Sequence, residues 1–268
     1  MKYKLMAVDI DGTLLNDKGE ITTATIDAIK KGVEEGLVFT IASGRPIQGI
    51  EYLNNLLNLD VPLITYNGAK IIMSKSKEVI FEQKLGYEYA IKILELGEKN
   101  NVTMMVWKDD KLYVNKLNER VEKYTKITAV QPILMEDSNE TIKTGVTKIL
   151  WYDDVEKIGK YIEQIKDLLG DKINYHTSQP YFLEFNDKNA SKALAMEKMG
   201  EHYGIKQSEM IAIGDGFNDL SMIEYAGLGV AMENAPEAIK SKADYITLSN
   251  NEDGIANVIN EFILKNNT

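Results

Sequence analysis

Three short polar clusters each follow directly on a short apolar run. Asp9-Ile10-Asp11-Gly12-Thr13 follows Leu5–Val8, Ser43-Gly44-Arg45 follows Val38–Ala42, and Gly214-Asp215-Gly216-Phe217-Asn218-Asp219 follows residues 210–213. Asp9 and Asp11 stand two residues apart, so at an extended strand end their side chains project to the same side. With Asp215 arriving from another strand, they make an oxygen-rich site suited to Mg²⁺. Ser43 supplies a hydroxyl, and the neighbouring glycines let backbone N–H groups approach an anion. Asn189 is a candidate cap for a helix that places Lys192 near its N-terminal end, where the dipole also favours an anion. Such a set suits a phosphate ester. A carboxylate attacking a phosphate dianion meets roughly twice the ~4 kcal/mol repulsion of two unit charges 4 Å apart at an effective dielectric of 20. A divalent cation and an ammonium group offset that repulsion.

Positioning these clusters requires strands that end at one edge. The runs Leu5–Val8, Val38–Ala42, 62–66, 210–213, 228–232 and 245–248 are too short for helices and predict buried strands. Helical patterns lie between them at 22–35, capped by Thr22 or Thr23 and followed by Gly36, and at 47–57 with Pro46 in front. Further helices are predicted at 190–203, 219–225, 236–243 and 255–265. In the first of these, Ala193, Met196, Met199 and Tyr203 form an apolar stripe. Alternation of this kind predicts an α/β fold, a Rossmann-like parallel sheet core with helices on both faces. In such a sheet ligands bind at the carboxyl ends of the strands, so the three clusters should converge.

The middle of the chain has a different texture. Helical patterns at Tyr87–Lys99 and Val155–Leu169 are interleaved with strand candidates at 102–107, 147–152 and 181–185, as in an antiparallel sheet covered on one face. We expect an inserted α+β domain over residues 84–187, with residues 1–83 and 188–268 forming the core.

The chain has 268 residues, 31 Lys+Arg against 41 Asp+Glu, and a formal net charge of −10. The acidic balance argues against a nucleic-acid partner. No run approaches the ~20 apolar residues of a membrane span, and the carboxylates at Asp9 and Asp11 break the N-terminal apolar run, unlike a signal peptide. Absence of cysteine excludes disulfide and thiolate chemistry and is compatible with a reducing compartment. A soluble cytoplasmic protein with no nucleic-acid, membrane or obligate protein partner is expected.

The stretch Asp9-x-Asp11-Gly12-Thr13, the hydroxyl at Ser43, Lys192, and Gly214-Asp215-Gly216-x-Asn218-Asp219 resemble, in order, the four motifs of the haloacid dehalogenase superfamily. An insert between the second and third motifs is similar to the Cof-type branch with a C2B cap. Tyr181-Phe182-Leu183-Glu184 and residues 222–232 resemble YidA-like sugar phosphatases. The resemblance spans essentially the whole chain. It implies an HAD-like core, a cap that closes to exclude water, and a Mg²⁺-dependent phosphatase of small phosphorylated metabolites, sugar phosphates foremost. Asp9 would be the nucleophile forming an aspartyl-phosphate, and Asp11 the acid that protonates the leaving alkoxide and then the base that activates water. Mg²⁺ would be held by the carboxylates of Asp9 and Asp215 and the backbone carbonyl of Asp11. Ser43, Lys192, Asn218 and the backbone of Ile10 and Gly44 would hold phosphoryl oxygens, with Asp219 orienting the metal waters or Lys192. Ser43 stands where many relatives have Thr, and Ala193 where Gly is common.

Other readings of the same residues are weaker. A calcium loop over Asp9 to Glu20 fails at its sixth position, which is Leu14 where that loop needs Gly. Gly227-Leu228-Gly229 lacks the third glycine of a dinucleotide fingerprint, since Met232 stands there. His176 and His202 have no metal-ligand spacing. Arg45 and Asn67, at strand ends, are open between structural support and substrate contact. Trp107, Tyr181 and Glu184 are open between sheet packing and the lining of a cap pocket. The same aspartyl chemistry would serve a phosphomutase, and a sensor of phosphorylated metabolites would keep the site without turnover.

Overall fold

The computed structural model describes residues 2–265, which divide into two compact units. The first comprises residues 1–44, 50–81 and 191–268, less the terminal residues outside that description. It is built on an eight-stranded sheet. Its order is Tyr245–Ile246, Leu228–Ala231, Met210–Gly214, Leu5–Val8, Val38–Ala42, Pro62–Thr65, Lys70–Met73 and Val79–Glu82. The first six strands run parallel. Lys70–Met73 returns antiparallel against Pro62–Thr65. The four residues between those two strands are too few for the crossover that a parallel neighbour needs.

Leu5, Met6, Ala7 and Val8 are all fully buried, so the central strand is covered on both faces. On one face Leu5, Ala7, Met210 and Ala212 pack against Ala195, Met196 and Met199 of helix Lys192–Tyr203 and Met222 of helix Leu220–Tyr225. Helix Thr23–Glu34, capped by Thr22, packs with strand Val38–Ala42 and helix Gly254–Ile259. Some boundaries depart from the sequence expectation. The helix expected over 47–57 divides into a 3₁₀ turn Ile47–Gly49 and helix Glu51–Leu57, with Gly49, a poor helix former, at the break. The helix expected over 255–265 gives way after Ile259 to a π-helical turn, Asn260–Leu264. Helix Lys192–Tyr203 starts two residues late, and its buried stripe takes in Lys192 and Ala195 while Tyr203 stays exposed.

The second unit comprises Glu82–Ala190 and the short segment Arg45–Gly49. Its sheet runs in the order Ile173–His176, Phe182–Asp187, Lys148–Tyr152, Thr103–Lys108, Lys111–Val114, Pro132–Leu134. All neighbours are antiparallel except the last pair. Helices Tyr87–Lys99 and Val155–Leu169 cover one face, packing Ile93, Leu94, Ile158 and Ile165 against Met104, Val106, Ile149, Trp151, Leu183 and Phe185.

By the period of two, Lys148 and Glu184 fall on the other face. There Lys148 Nζ bonds Glu184 Oε2 at 3.0 Å, Ser178 Oγ donates to Glu184 Oε1 at 2.6 Å, and His176 Nε2 lies 3.8 Å from Glu184 Oε2. Burial acts to raise the Glu184 carboxyl, yet Lys148 and the other partners outweigh it and hold it below its ordinary range. Trp107 Nε1 donates to Tyr124 Oη at 2.9 Å and Tyr181 stacks on Tyr152 at 5.2 Å. Glu184, Trp107 and Tyr181 therefore all have partners within this unit.

Candidate active site

The parallel strands deliver the motifs to one edge. Strand Leu5–Val8 hands on to Asp9, whose N–H donates to the Ile213 carbonyl at 3.0 Å in the neighbouring strand. Met210–Gly214 hands on to Asp215, and Val38–Ala42 to Ser43, whose N–H donates to the Ile64 carbonyl at 2.8 Å. Lys192 opens its helix directly after the cap Ser191, whose Oγ accepts from the Leu194 N–H at 3.1 Å. Asn189, the expected cap, is displaced from that role, and its N–H instead donates to Asp187 Oδ1 at 3.0 Å.

Lys192 is the centre of the cluster. Its Nζ donates to Asp9 Oδ1 at 2.5 Å and to Asp219 Oδ1 at 2.6 Å, and its side chain has no exposed surface. Asp219 Oδ2 accepts from the N–H groups of Asp215 at 3.1 Å and Gly216 at 2.9 Å. Both oxygens of Asp219 are thus engaged by the protein. Asp215 is held by Thr13, whose Oγ1 donates to its Oδ1 at 2.7 Å. One ligand atom each from Asp9, Asp215 and Asp219 lies within 4.8 Å of the others.

Burial is the first influence on the Asp9 carboxyl and pushes it up to about 7, with Lys192 pulling down and Asp219 and Asp215 adding to the rise. Asp215 is raised for the same leading reason, with Thr13 opposing. Burial alone would lower the Lys192 ammonium; Asp219 and Asp9 outweigh it and keep Lys192 charged. Three carboxylates facing one ammonium carry two negative charges in excess when ionised, and the free oxygens lie on Asp9 and Asp215. That donor set, all carboxylate and carrying excess negative charge, fits a hard divalent cation.

The turn after Asp9 is tightly specified. Gly12 has φ +78°, and a methyl group on it would stand 2.3 Å from Asp215 Oδ2, so only glycine lets the turn lie against that carboxylate. Asp11 is exposed and bridges to Leu15, while the Ile10 carbonyl accepts from the Leu15 N–H at 2.9 Å. On the other side of the site the Asn67 N–H donates to the Ser43 carbonyl at 2.9 Å, and the Asn67 amide lies against Gly44. Tyr66, Asn67 and Gly68 have successive φ values of +52°, +57° and +95°. This run lets Gly68 meet the chain at Ser191, where a methyl group would stand 2.0 Å from the carbonyl oxygen. Three left-handed residues in succession, one a buried tyrosine, are a strained turn of the kind found at functional sites.

Asp9, Lys192, Asp215 and Asp219 are therefore brought together, with Ser43, Gly44 and Asn67 joined by their own contacts at a neighbouring strand end. Asn218 is exposed in the turn ahead of Asp219. Arg45 groups with the second unit. Thr13 is quoted in the first motif without a role, and its grip on Asp215 is visible only in the structure.

With this geometry in hand, the comparisons with known proteins agree. The family model for haloacid dehalogenase-like hydrolases matches residues 6–259. The 5-amino-6-(5-phospho-D-ribitylamino)uracil phosphatase YcsE of Bacillus subtilis (strain 168) is 32% identical, covering 97% of this chain and 96% of its own. A haloacid dehalogenase-like hydrolase from Bacteroides thetaiotaomicron superposes with a TM-score of 0.85 at 37% identity, covering 96% of this chain and 98% of its own. BT4131, described as a subclass IIB sugar phosphatase of the superfamily, does so with a TM-score of 0.79 at 29% identity, covering 97% and 98%. The chain belongs to the haloacid dehalogenase-like hydrolases. Within that family it is a phosphatase hydrolase of the Cof-type branch. Among the described residues no helix is long and apolar enough to cross a membrane.

Proposed function

We propose that this phosphatase hydrolyses small phosphorylated metabolites, sugar phosphates foremost, with Mg²⁺ as cofactor and Asp9 as the phosphoryl acceptor. The observation that carries the reading is the buried carboxylate of Asp9 held by Lys192 at 2.5 Å beside Asp215, at the carboxyl end of the central strand. Asp9 and Asp215, with the backbone carbonyl of Asp11, would hold Mg²⁺. When bound, the cation supplies neutralisation and polarisation at the phosphoryl group.

In the first displacement a carboxylate oxygen of Asp9 bonds to phosphorus as the ester P–O bond breaks, and Asp11 gives its proton to the departing alkoxide. In the second, Asp11 takes a proton from water as the water oxygen bonds to phosphorus, and the Asp9 carboxylate leaves with release of inorganic phosphate. Lys192, Ser43, Asn218 and the N–H groups of Ile10 and Gly44 bind the phosphoryl oxygens throughout. Asp219 holds Lys192 in place. Arg45 and Asn67 support the substrate or the turns around it.

Sugar phosphates lead because BT4131 is a sugar phosphatase and the substrate that names YcsE carries its phosphate on a ribityl chain. Both are phosphomonoesters of polyols. We assign the second unit the role of a C2B-type cap, with residues 84–187 as the insert, that selects the leaving group. A cytoplasmic location belongs to the same reading. The test is release of inorganic phosphate from a panel of sugar phosphates, nucleotides and pyridoxal phosphate, with Mg²⁺ and with EDTA. Metal-dependent release led by polyol phosphates is expected. Release unaffected by EDTA would overturn the cofactor, and transfer between sugar hydroxyls without free phosphate would make the protein a mutase.

A further inference from the structure

Asn234 lies outside every motif discussed above, yet residues 232–234, just beyond strand Leu228–Ala231, hold both carboxylate-bearing turns. The Met232 N–H donates to the Gly214 carbonyl at 3.1 Å, one residue before Asp215. Asn234 Nδ2 donates to the Gly12 carbonyl at 2.8 Å, and Asn234 Oδ1 accepts from the Asn250 N–H at 3.0 Å. Asn250 is itself buried, and its Nδ2 donates to the Leu15 carbonyl at 3.0 Å and to Asp17 Oδ1 at 3.2 Å. The two ends of one side-chain amide thus tie the turn after Asp9 to a distant loop. Burial does not explain the residue, because Asn234 is exposed.

What that amide fixes is the direction of one carbonyl. Gly12, at φ +78°, sits in a region that glycine enters and leaves freely. Its carbonyl direction sets the plane of the peptide that leads into Thr13. Thr13 is 2% exposed and spends its hydroxyl on Asp215 Oδ1 at 2.7 Å. The chain of contacts therefore runs from Asn234 to the Gly12 carbonyl, to Thr13, to the Asp215 carboxylate.

We infer that Asn234 is a positioning residue for the divalent-cation site: by anchoring the Gly12 carbonyl it keeps the Thr13 hydroxyl on Asp215 and so sets the orientation of that carboxylate. The inference rests on the proposal that Asp215 is a cation ligand. Groups hydrogen-bonded behind a metal ligand typically change affinity by 10–100-fold when removed. Asn234 acts one step further back and from an exposed position, so the low end of that range applies.

The test is calorimetric titration of the full chain with Mn²⁺, comparing the wild type with Asn234→Ala, Thr13→Val and the double variant. Asn234→Ala removes an exposed side chain and leaves no cavity; Asn234→Ser serves in its place if that variant fails to fold. Asn234→Ala should weaken Mn²⁺ binding about tenfold, and Thr13→Val by at least as much. The double variant should be no weaker than Thr13→Val alone, because both changes break the same chain of contacts. In turnover, excess Mg²⁺ should restore the kcat of Asn234→Ala, which a merely structural defect would not allow. An unchanged Mn²⁺ dissociation constant in Asn234→Ala, or losses that multiply in the double variant, would overturn the positioning role while the cation site stands. A wild type with no saturable Mn²⁺ binding would overturn the cation site itself, and the inference with it.

Discussion

Replacing Asp9 by Asn separates what the site costs the fold from what it does. Burial pushes the Asp9 carboxyl from 3.8 up to about 7, against the pull of Lys192. Below about pH 4 the group is protonated in both the folded and the unfolded chain. Between 3.8 and about 7 the unfolded chain releases the proton and the folded chain keeps it, so the metal-free fold loses stability as pH rises, and the loss levels off above 7. At about 1.4 kcal/mol per pH unit of separation, the full effect is about 4 kcal/mol. Asn has no proton to lose and escapes it. Exchange of the neutral carboxyl for an amide beside Lys192 gives Asp9→Asn a constant offset, so the quantity to read is the growth of the stability difference with pH. Urea unfolding in EDTA, followed by far-UV circular dichroism, should show the variant gaining about 3–4 kcal/mol on the wild type between about pH 4 and about pH 8. A stability difference that stays flat with pH would refute the burial argument.

Two further perturbations address the acid and the insert. Asp11→Asn should slow turnover of alkyl phosphates by about a hundredfold or more, the scale of a lost general acid, while Mn²⁺ binding changes little, since its cation contact would be through the backbone. A large loss of cation affinity would count against that division of roles. Lys148→Met should destabilise the second unit by about 3–5 kcal/mol, because it leaves the Glu184 carboxylate buried without its cation. Tryptophan fluorescence during urea unfolding measures it, and a shift under about 1 kcal/mol would mean that the pair is solvated.

Much of the core was legible because its strands are short apolar runs that stop at polar clusters. Leu5–Val8 and Val38–Ala42 have the expected bounds, and with them the placement of Asp9 and Ser43 follows from topology. Helices Tyr87–Lys99 and Val155–Leu169 were equally plain, each with a buried stripe at helical spacing. Edge strands were not. Val79–Glu82 and Pro132–Leu134 are only partly buried, so no clean apolar pattern marks them. The helix cap was misplaced because Asn189 and Ser191 are both good cap residues, and only the backbone decides between them. Within the site, the residue types were readable but their grips were not. Thr13 meets Asp215 across 202 positions and Asn234 meets Gly12 across 222, and no local spacing encodes contacts of that span.

Phosphoryl transfer to Asp9 can be tested by trapping the phosphoryl group on the enzyme. The enzyme is mixed with Mg²⁺ and a slowly turned-over sugar phosphate, quenched in acid, digested and examined by mass spectrometry. A phosphorylated peptide bearing Asp9 is expected, absent from the Asp9→Asn variant, which should also release no phosphate. A phosphoryl group found on another residue, or undiminished turnover by Asp9→Asn, would contradict it.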